Sequence, residues 1–178
     1  MNKMIKEVQG LRGLAVLFVI LFHFYVPGFS GCYIGVDIFF VISGFIITMH
    51  ISQEMNSGSF KLSEFYKRRV KRLFPALFIV ILFCFALALL VFSPEKLIRF
   101  SYSSAYSLLS IQNFFLVTES GYFDTDSFEK PLLHIWSLSV EEQFYLFWPI
   151  LLILLHPLRK KKAVFLIFLI IVFSYVAS

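Results

Sequence analysis

The amino-acid sequence predicts an all-α protein, a polytopic transmembrane helix bundle of about five spans with one interfacial or re-entrant element. Three observations lead there. Of the 178 residues, 59% are hydrophobic and only 15% are charged, against about 25% charged in ordinary soluble domains. The mean hydropathy is +0.83. The basic residues gather at the ends of apolar runs, as in Lys67-Arg68-Arg69-Val70-Lys71-Arg72 and Arg159-Lys160-Lys161-Lys162. A soluble domain of this size has too much of its area facing water to hide that apolar surface, so hydrocarbon is its natural solvent. The 24 Phe residues suit both hydrocarbon and its interface.

The net charge of +5 follows the positive-inside pattern and contact with anionic headgroups. Membrane lipid is therefore an expected partner, and nucleic acid is not. Cys32 and Cys84 form no disulfide framework. The basic N-terminus followed by an apolar stretch has the outline of a cleaved leader. The stretch runs on to Val26 without a small-residue cleavage site, however, and carries Arg12 and His23. It reads as a retained helix.

A spanning helix needs about 20 mostly apolar residues. Leu11–Val26 is the first candidate, closed by Pro27-Gly28. After a turn near Gly31, a second runs from about Ile34 to Ile51. The polar and basic stretch Ser52–Arg72 reads as a loop with an amphipathic element. Leu73–Phe92 is the third span, with Pro75 in its first turn, where proline is tolerated. The next is about Leu138–Leu155, and Ala163–Ser178 begins another. That apolar run reaches Ser178 with no cap or polar flank, which predicts a piece of a longer protein.

The stretch Leu97–Val117, with Arg99, Gln112, Asn113 and several serines, is decided by charge. A cytoplasmic N-terminus, bearing Lys3, Lys6 and Arg12, puts the Lys61–Arg72 loop in the cytoplasm as the positive-inside rule wants. The Arg159–Lys162 cluster then also falls inside, provided Leu97–Val117 does not cross. It is expected to be interfacial or re-entrant, with Ser93–His134 mostly extracytoplasmic. The expected location is the plasma (inner) membrane.

Charged groups at membrane depth are costly and mark function or pairing. Arg12 and His23 are eleven residues apart, close to three helical turns, so they share one face about 16 Å apart along the axis. Arg12 can hold an anionic group bidentately or snorkel to the headgroups. His23 can serve as a general base or cap a neighbouring helix. Asp37 opens the second span, where it can orient His23, pair with a cation, or simply favour the helix dipole. Ser43 and Gly44 fit close helix packing as well as a site. The cluster around Arg68, Arg69 and Arg72 is a positive-inside anchor or a phosphate site, with Arg69 and Arg72 on one helix face. In a helix, His134, Ser137 and Glu141 lie on one face at i, i+3 and i+7. Trp136, Tyr145 and Trp148 fit an interfacial belt, which leaves Glu141 unexplained. No HExxH or paired-Cys pattern is present, and no metal is expected. G-x-S-x-G, P-loop and GxGxxG patterns are also absent.

Four ordered segments together resemble the acyltransferase 3 family, closest to its O-antigen and peptidoglycan O-acetylase branch. They are Gly10-Leu11-Arg12-Gly13 with His23; Gly35-Val36-Asp37 through Ser43-Gly44-Phe45; Phe65-Tyr66-Lys67-Arg68-Arg69 through Arg72 and Pro75; and Leu133-His134-Ile135-Trp136-Ser137-Leu138-Ser139-Val140-Glu141-Glu142-Gln143-Phe144-Tyr145. The resemblance implies about ten spans of ordinary length in a domain roughly twice this size, of which residues 1–178 are the N-terminal part. It implies transfer of an acyl group, usually acetyl, from cytoplasmic acyl-CoA to a hydroxyl of an envelope polysaccharide such as lipopolysaccharide O-antigen.

By the same resemblance, Arg12 and His23 match the family's arginine–histidine signature, Arg69 and Arg72 its basic motif, and His134 and Glu141 its His-x-Trp-Ser-Leu-x-x-Glu motif. The expected catalytic set is His23, Arg12, Asp37, Glu141 and His134. The expected donor-binding set is Arg69, Arg72 and Arg68. A transporter or channel subunit with its charges lining a solute path, and a non-catalytic fragment, are the rival readings.

Overall fold

The computed structural model describes residues 3–119, 130–158 and 160–176, and every regular element among them is helical. The helices are α1 (Lys3–His23), α2 (Gly35–Asn56), α3 (Leu62–Val91), α4 (Pro94–Leu108), α5 (Gln112–Glu119), α6 (Ile135–Leu155) and α7 (Lys160–Val176), with a 3₁₀ turn at Cys32–Ile34 leading into α2. Three described helices are long and apolar enough to cross a membrane: α2 with its 3₁₀ lead, α3 and α6. Helices α1 and α7 overlap the first and last expected spans without meeting that measure, and α1 runs from Lys3 to His23 rather than from Leu11 to Val26. Arg159 and Ser178 lie outside the described residues.

One expectation fails at Ser52–Arg72. It is not a loop. Helix α2 continues to Asn56, only Ser57–Lys61 links it to α3, and the basic residues are helical. Lys and Arg are good helix formers, and tertiary packing rewards the helix here. Phe65 is buried against Ile47, Ile51 and Tyr145, while Lys67 and Lys71 stay exposed. The 30 residues of α3 reach about 45 Å, well beyond a hydrocarbon core of about 30 Å, so its basic first turns extend past the apolar layer. Pro75 therefore sits in the helix interior rather than its first turn. The link closes tightly because Gly58 adopts φ +69°, a left-handed conformation that glycine takes without a Cβ penalty.

No single helix covers Leu97–Val117. Helix α4 starts at Pro94, after Ser93 accepts a hydrogen bond from the Lys96 amide at 3.5 Å. Its 15 residues reach only about 22 Å. The chain then breaks at Leu109–Ile111, with Ser110 at φ +59°, and resumes as the short α5. Helix α4 packs on α3, α5 and α6. Two short helices joined by a sharp break fit the expected re-entrant element.

Helix α1 lies along α2, and α2 and α5 lie along α6. The α1–α2 approach depends on Gly35. A Cβ there would stand 2.9 Å from Val19 Cγ2, 3.2 Å from Phe18 Cβ and closer still to the Ala15 carbonyl oxygen. Two apolar clusters hold the rest together: Leu77, Ile81, Ala88, Phe100 and Leu132 on one side, and Ile47, Ile51, Phe65 and Tyr145 on the other. Many large apolar residues face outward instead, such as Ile79, Phe83 and Leu90 on α3. This suits a lipid surround, where apolar exposure carries no penalty.

Candidate active site

Helix α6 carries the polar groups of the site along one stripe. His134 is its N-cap residue, and Ser137, Glu141 and Tyr145 follow at steps of three and four. That spacing keeps them on one face over about 16 Å. Glu141 and Tyr145 are buried, and the Tyr145 hydroxyl donates a hydrogen bond to Glu141 Oε1. Tyr145 therefore does not belong to an interfacial belt. Trp148, another expected belt member, also turns inward, and its Nε1–H donates to Thr48 Oγ1 of α2 at 2.7 Å.

Helix α1 brings His23 to the same end of α6. The two imidazoles meet edge to face, with ring centroids 4.4 Å apart and planes at 90°. His23 Nδ1 lies 2.7 Å from the Val19 carbonyl oxygen. A carbonyl only accepts, so Nδ1 carries the proton, and in the neutral ring Nε2 keeps its lone pair for a substrate. The orienting partner is thus backbone, not a carboxylate. Asp37 is exposed and makes no hydrogen bond or ion pair with any described residue. The pKa of His134 is lowered from the ordinary value, first by burial and then by His23 beside it, since two adjacent imidazoles resist holding two positive charges.

Between Arg12 and His23, α1 lines a cavity that neither of those two side chains reaches. Ala15, Val16, Val19 and Ile20 of α1 line a space of about 280 Å³, closed by Phe39 and Phe40 of α2 and by Ser137 and Glu141 of α6. The half-buried Arg12 sets its Cζ 4.8 Å from the centroid of the Phe39 ring, a cation–π distance. One cavity thus runs along the face expected to join Arg12 and His23, with Glu141 on its far wall.

A second, larger cavity of about 540 Å³ opens between α3, α4, α5 and α6. Its walls are mostly apolar, among them Leu73, Phe74 and Phe114, and its polar lining includes Arg69, Ser110, Glu142 and Gln143. The polar groups are tied down. Ser110 donates to Glu142 Oε2, and Gln143 Nε2 donates to the Ser110 carbonyl and to Asn113 Oδ1, both at 2.8 Å. Adjacent carboxylates thus serve different spaces, Glu141 the smaller and Glu142 the larger. Arg69 Cζ lies 5.3 Å from the Phe65 ring centroid and 5.0 Å from that of Tyr145. The three expected donor-binding arginines divide. Arg69 lines this cavity, Arg68 pairs with Glu54 at 3.1 and 3.2 Å, and Arg72 is exposed. Among the described residues, no three His, Cys, Asp or Glu side chains gather as metal ligands would.

Comparison with known proteins supplies the family. Residues 5–178 match the family model described as an acyltransferase domain. The chain belongs to the acyltransferase 3 family. It is similar to O-acetyltransferase OatA of Staphylococcus aureus strain NCTC 8325, with 37% identity over 171 residues, covering 94% of this chain and 28% of that protein. It is 39% identical over 160 residues to a protein of S. aureus strain COL provisionally named an O-acetyltransferase, covering 89% of this chain and 26% of that one. The acyltransferase 3 chain therefore spans about a quarter of the length of these curated relatives. No solved structure matches it.

Proposed function

We propose that this chain supplies the donor-side portion of a membrane-bound O-acyltransferase, which moves an acetyl group from cytoplasmic acyl-CoA to a hydroxyl of an envelope polysaccharide. The observation that carries the reading is the His23–His134 contact, with His23 Nδ1 held by Val19 so that Nε2 is left to accept a proton. The smaller cavity, lined by α1 residues between Arg12 and His23 and by Ser137 and Glu141, and the arginine-lined cavity beyond Glu141, supply room for an acyl donor. In the proposed orientation the N-terminus is cytoplasmic. Arg69 then faces the donor side and the histidine pair faces the acceptor side of the plasma membrane.

The reaction follows from that layout. His23 Nε2 takes the proton from a sugar hydroxyl as its oxygen attacks the thioester carbonyl carbon. The C–O bond forms, the C–S bond breaks, and the thiolate leaves and recovers the proton from His23. Glu141 supplies the charge at the cavity wall, Arg12 stands at the far end of the same α1 face, and His134, its pKa lowered, sits beside His23. Asp37, exposed at the start of α2, stands as a contact for the acceptor. Arg72 and Arg68 extend the positive charge around Arg69 for the donor's phosphates. The test is direct. Membranes carrying the full-length protein, given labelled acetyl-CoA and envelope glycan, should place ester-linked label on the glycan. Label flux without esterification would favour a transporter instead.

A further inference from the structure

Two cavities approach each other at one side chain. The larger is lined by Arg69 and Tyr145, and the smaller by Glu141. Tyr145 is 6% exposed and Glu141 is 8% exposed. Between them the phenol hydroxyl donates to Glu141 Oε1. The face of the same ring carries the Arg69 guanidinium at 5.0 Å. A carboxylate at membrane depth is costly unless paired or hydrogen-bonded, and no described residue forms an ion pair with Glu141. Among the described residues, its side-chain hydrogen-bond partner is Tyr145.

We infer that Tyr145 is a positioning residue. Its hydroxyl holds the Glu141 carboxylate at the wall of the smaller cavity, and its ring carries Arg69 at the edge of the larger one. An anionic or thioester group drawn to Arg69 therefore bears on Glu141 through one aromatic ring. The chain Arg69–Tyr145–Glu141 joins a cation–π contact to a charge-assisted hydrogen bond. Neither contact needs the chain to move. The role in acyl transfer rests on the function proposed above, whereas the positioning itself does not.

Two measurements on the full-length protein separate these. The first is infrared spectroscopy of the purified protein in detergent, with the Glu141 carboxyl band assigned by its loss in Glu141→Gln. Tyr145→Phe keeps the ring and its packing but removes the hydroxyl, so that band should shift. Tyr145→Leu should shift it as well. An unshifted band in Tyr145→Phe overturns the inference whether or not the protein transfers acetyl.

The second is steady-state acetyl transfer. Tyr145→Phe should lower kcat at least tenfold and leave KM for acetyl-CoA within about twofold, because Arg69 keeps its aromatic platform. Tyr145→Leu removes the platform and should also raise KM. In a Glu141→Gln background, Tyr145→Phe should cost nothing further, since the hydroxyl acts through Glu141. An equal loss in both backgrounds overturns the inference. A wild-type protein that transfers no acetyl while the band shifts overturns only the acyltransferase reading.

Discussion

His23 at the end of α1 and His134 at the start of α6 meet edge to face at 4.4 Å. The contact joins the end of α1 to the start of α6, and the two rings differ in their surroundings. His23 has its Nδ1 committed to Val19. His134 has its pKa lowered by burial and by His23 beside it.

Loss of the His23 imidazole should abolish O-acetylation. The variant His23→Ala is expected to keep the full-length protein in the membrane and to fall at least a hundredfold in transfer, in line with the usual worth of a general base, about 10²–10⁴. His23→Ala with ordinary acetylation would remove His23 from the mechanism.

The titration of His134 carries its own sign. Its pKa is lowered in the fold, while an unfolded histidine titrates near about 6.5. The folded state then binds fewer protons across that window. The neutral ring's contribution to stability is full above the unfolded value and is lost as pH falls through the lowered one. NMR of ring-labelled His134 should show a midpoint below the ordinary value. In His23→Ala the midpoint should rise, because the neighbouring charge is gone, yet stay below the ordinary value, because burial is the larger cause. A midpoint unmoved by His23→Ala would dissolve the electrostatic coupling of the pair.

Gly35 sets the distance between α1 and α2, so Gly35→Ala should loosen the end of the bundle that holds His23. The added Cβ has backbone and side-chain atoms at 3.2 Å or nearer, and overpacking of this kind costs about 1–3 kcal/mol. Gly44→Ala is the control, since its Cβ would meet only Phe144 atoms, the nearest at 3.7 Å. Thermal unfolding in detergent should show a lower midpoint for Gly35→Ala and little change for Gly44→Ala. Equal midpoints would mean that α1 adapts to the extra methyl.

Much of this was legible in the sequence, and the reasons are physical. Apolar length marked α2, α3 and α6, and charge at membrane depth marked His23, His134, Glu141 and Arg69. That Leu97–Val117 is not an ordinary span was legible in its polar residues and the charge on either side, whereas the break at Ser110 had no sequence signal. The start of α3 was not legible either, because basic residues that are excellent helix formers look like a loop when hydropathy alone is counted. The Val19 carbonyl that orients His23 has no side-chain signal at all. Tyr145 was hidden by its company, since an aromatic among Trp136, Phe147 and Trp148 reads as a belt until burial separates it. Among the arginines, spacing grouped Arg69 with Arg72, whereas only packing against Phe65 and Tyr145 shows which one faces a cavity.

That separation of the arginines can be measured. Arg69→Lys keeps the charge but loses the planar group that rests on two rings, an exchange that is not conservative at a stacked site. It should raise KM for acetyl-CoA about tenfold, or roughly 1.4 kcal/mol. Arg68→Ala breaks an exposed pair with Glu54 and removes a charge outside the cavity, for which a change within about 1 kcal/mol is expected. If Arg68→Ala raised KM more than Arg69→Lys, the donor would sit outside the 540 Å³ cavity.

The bond from Trp148 to Thr48 ties α6 to α2 at membrane depth, and Thr48 Oγ1 in turn donates to the Gly44 carbonyl at 2.7 Å. Thr48 therefore acts as acceptor and donor at once. In lipid such a bond competes with no solvent, yet the unfolded chain also finds partners there, so couplings average about 0.6 kcal/mol and reach about 1.7. Trp148→Phe, Thr48→Val and the double variant, compared by reversible unfolding in bicelles, should give a coupling inside that range. Additive losses would mean that the indole is held by its stacking on Phe144, whose ring lies 5.0 Å away, and that the α2–α6 contact owes its stability to shape alone.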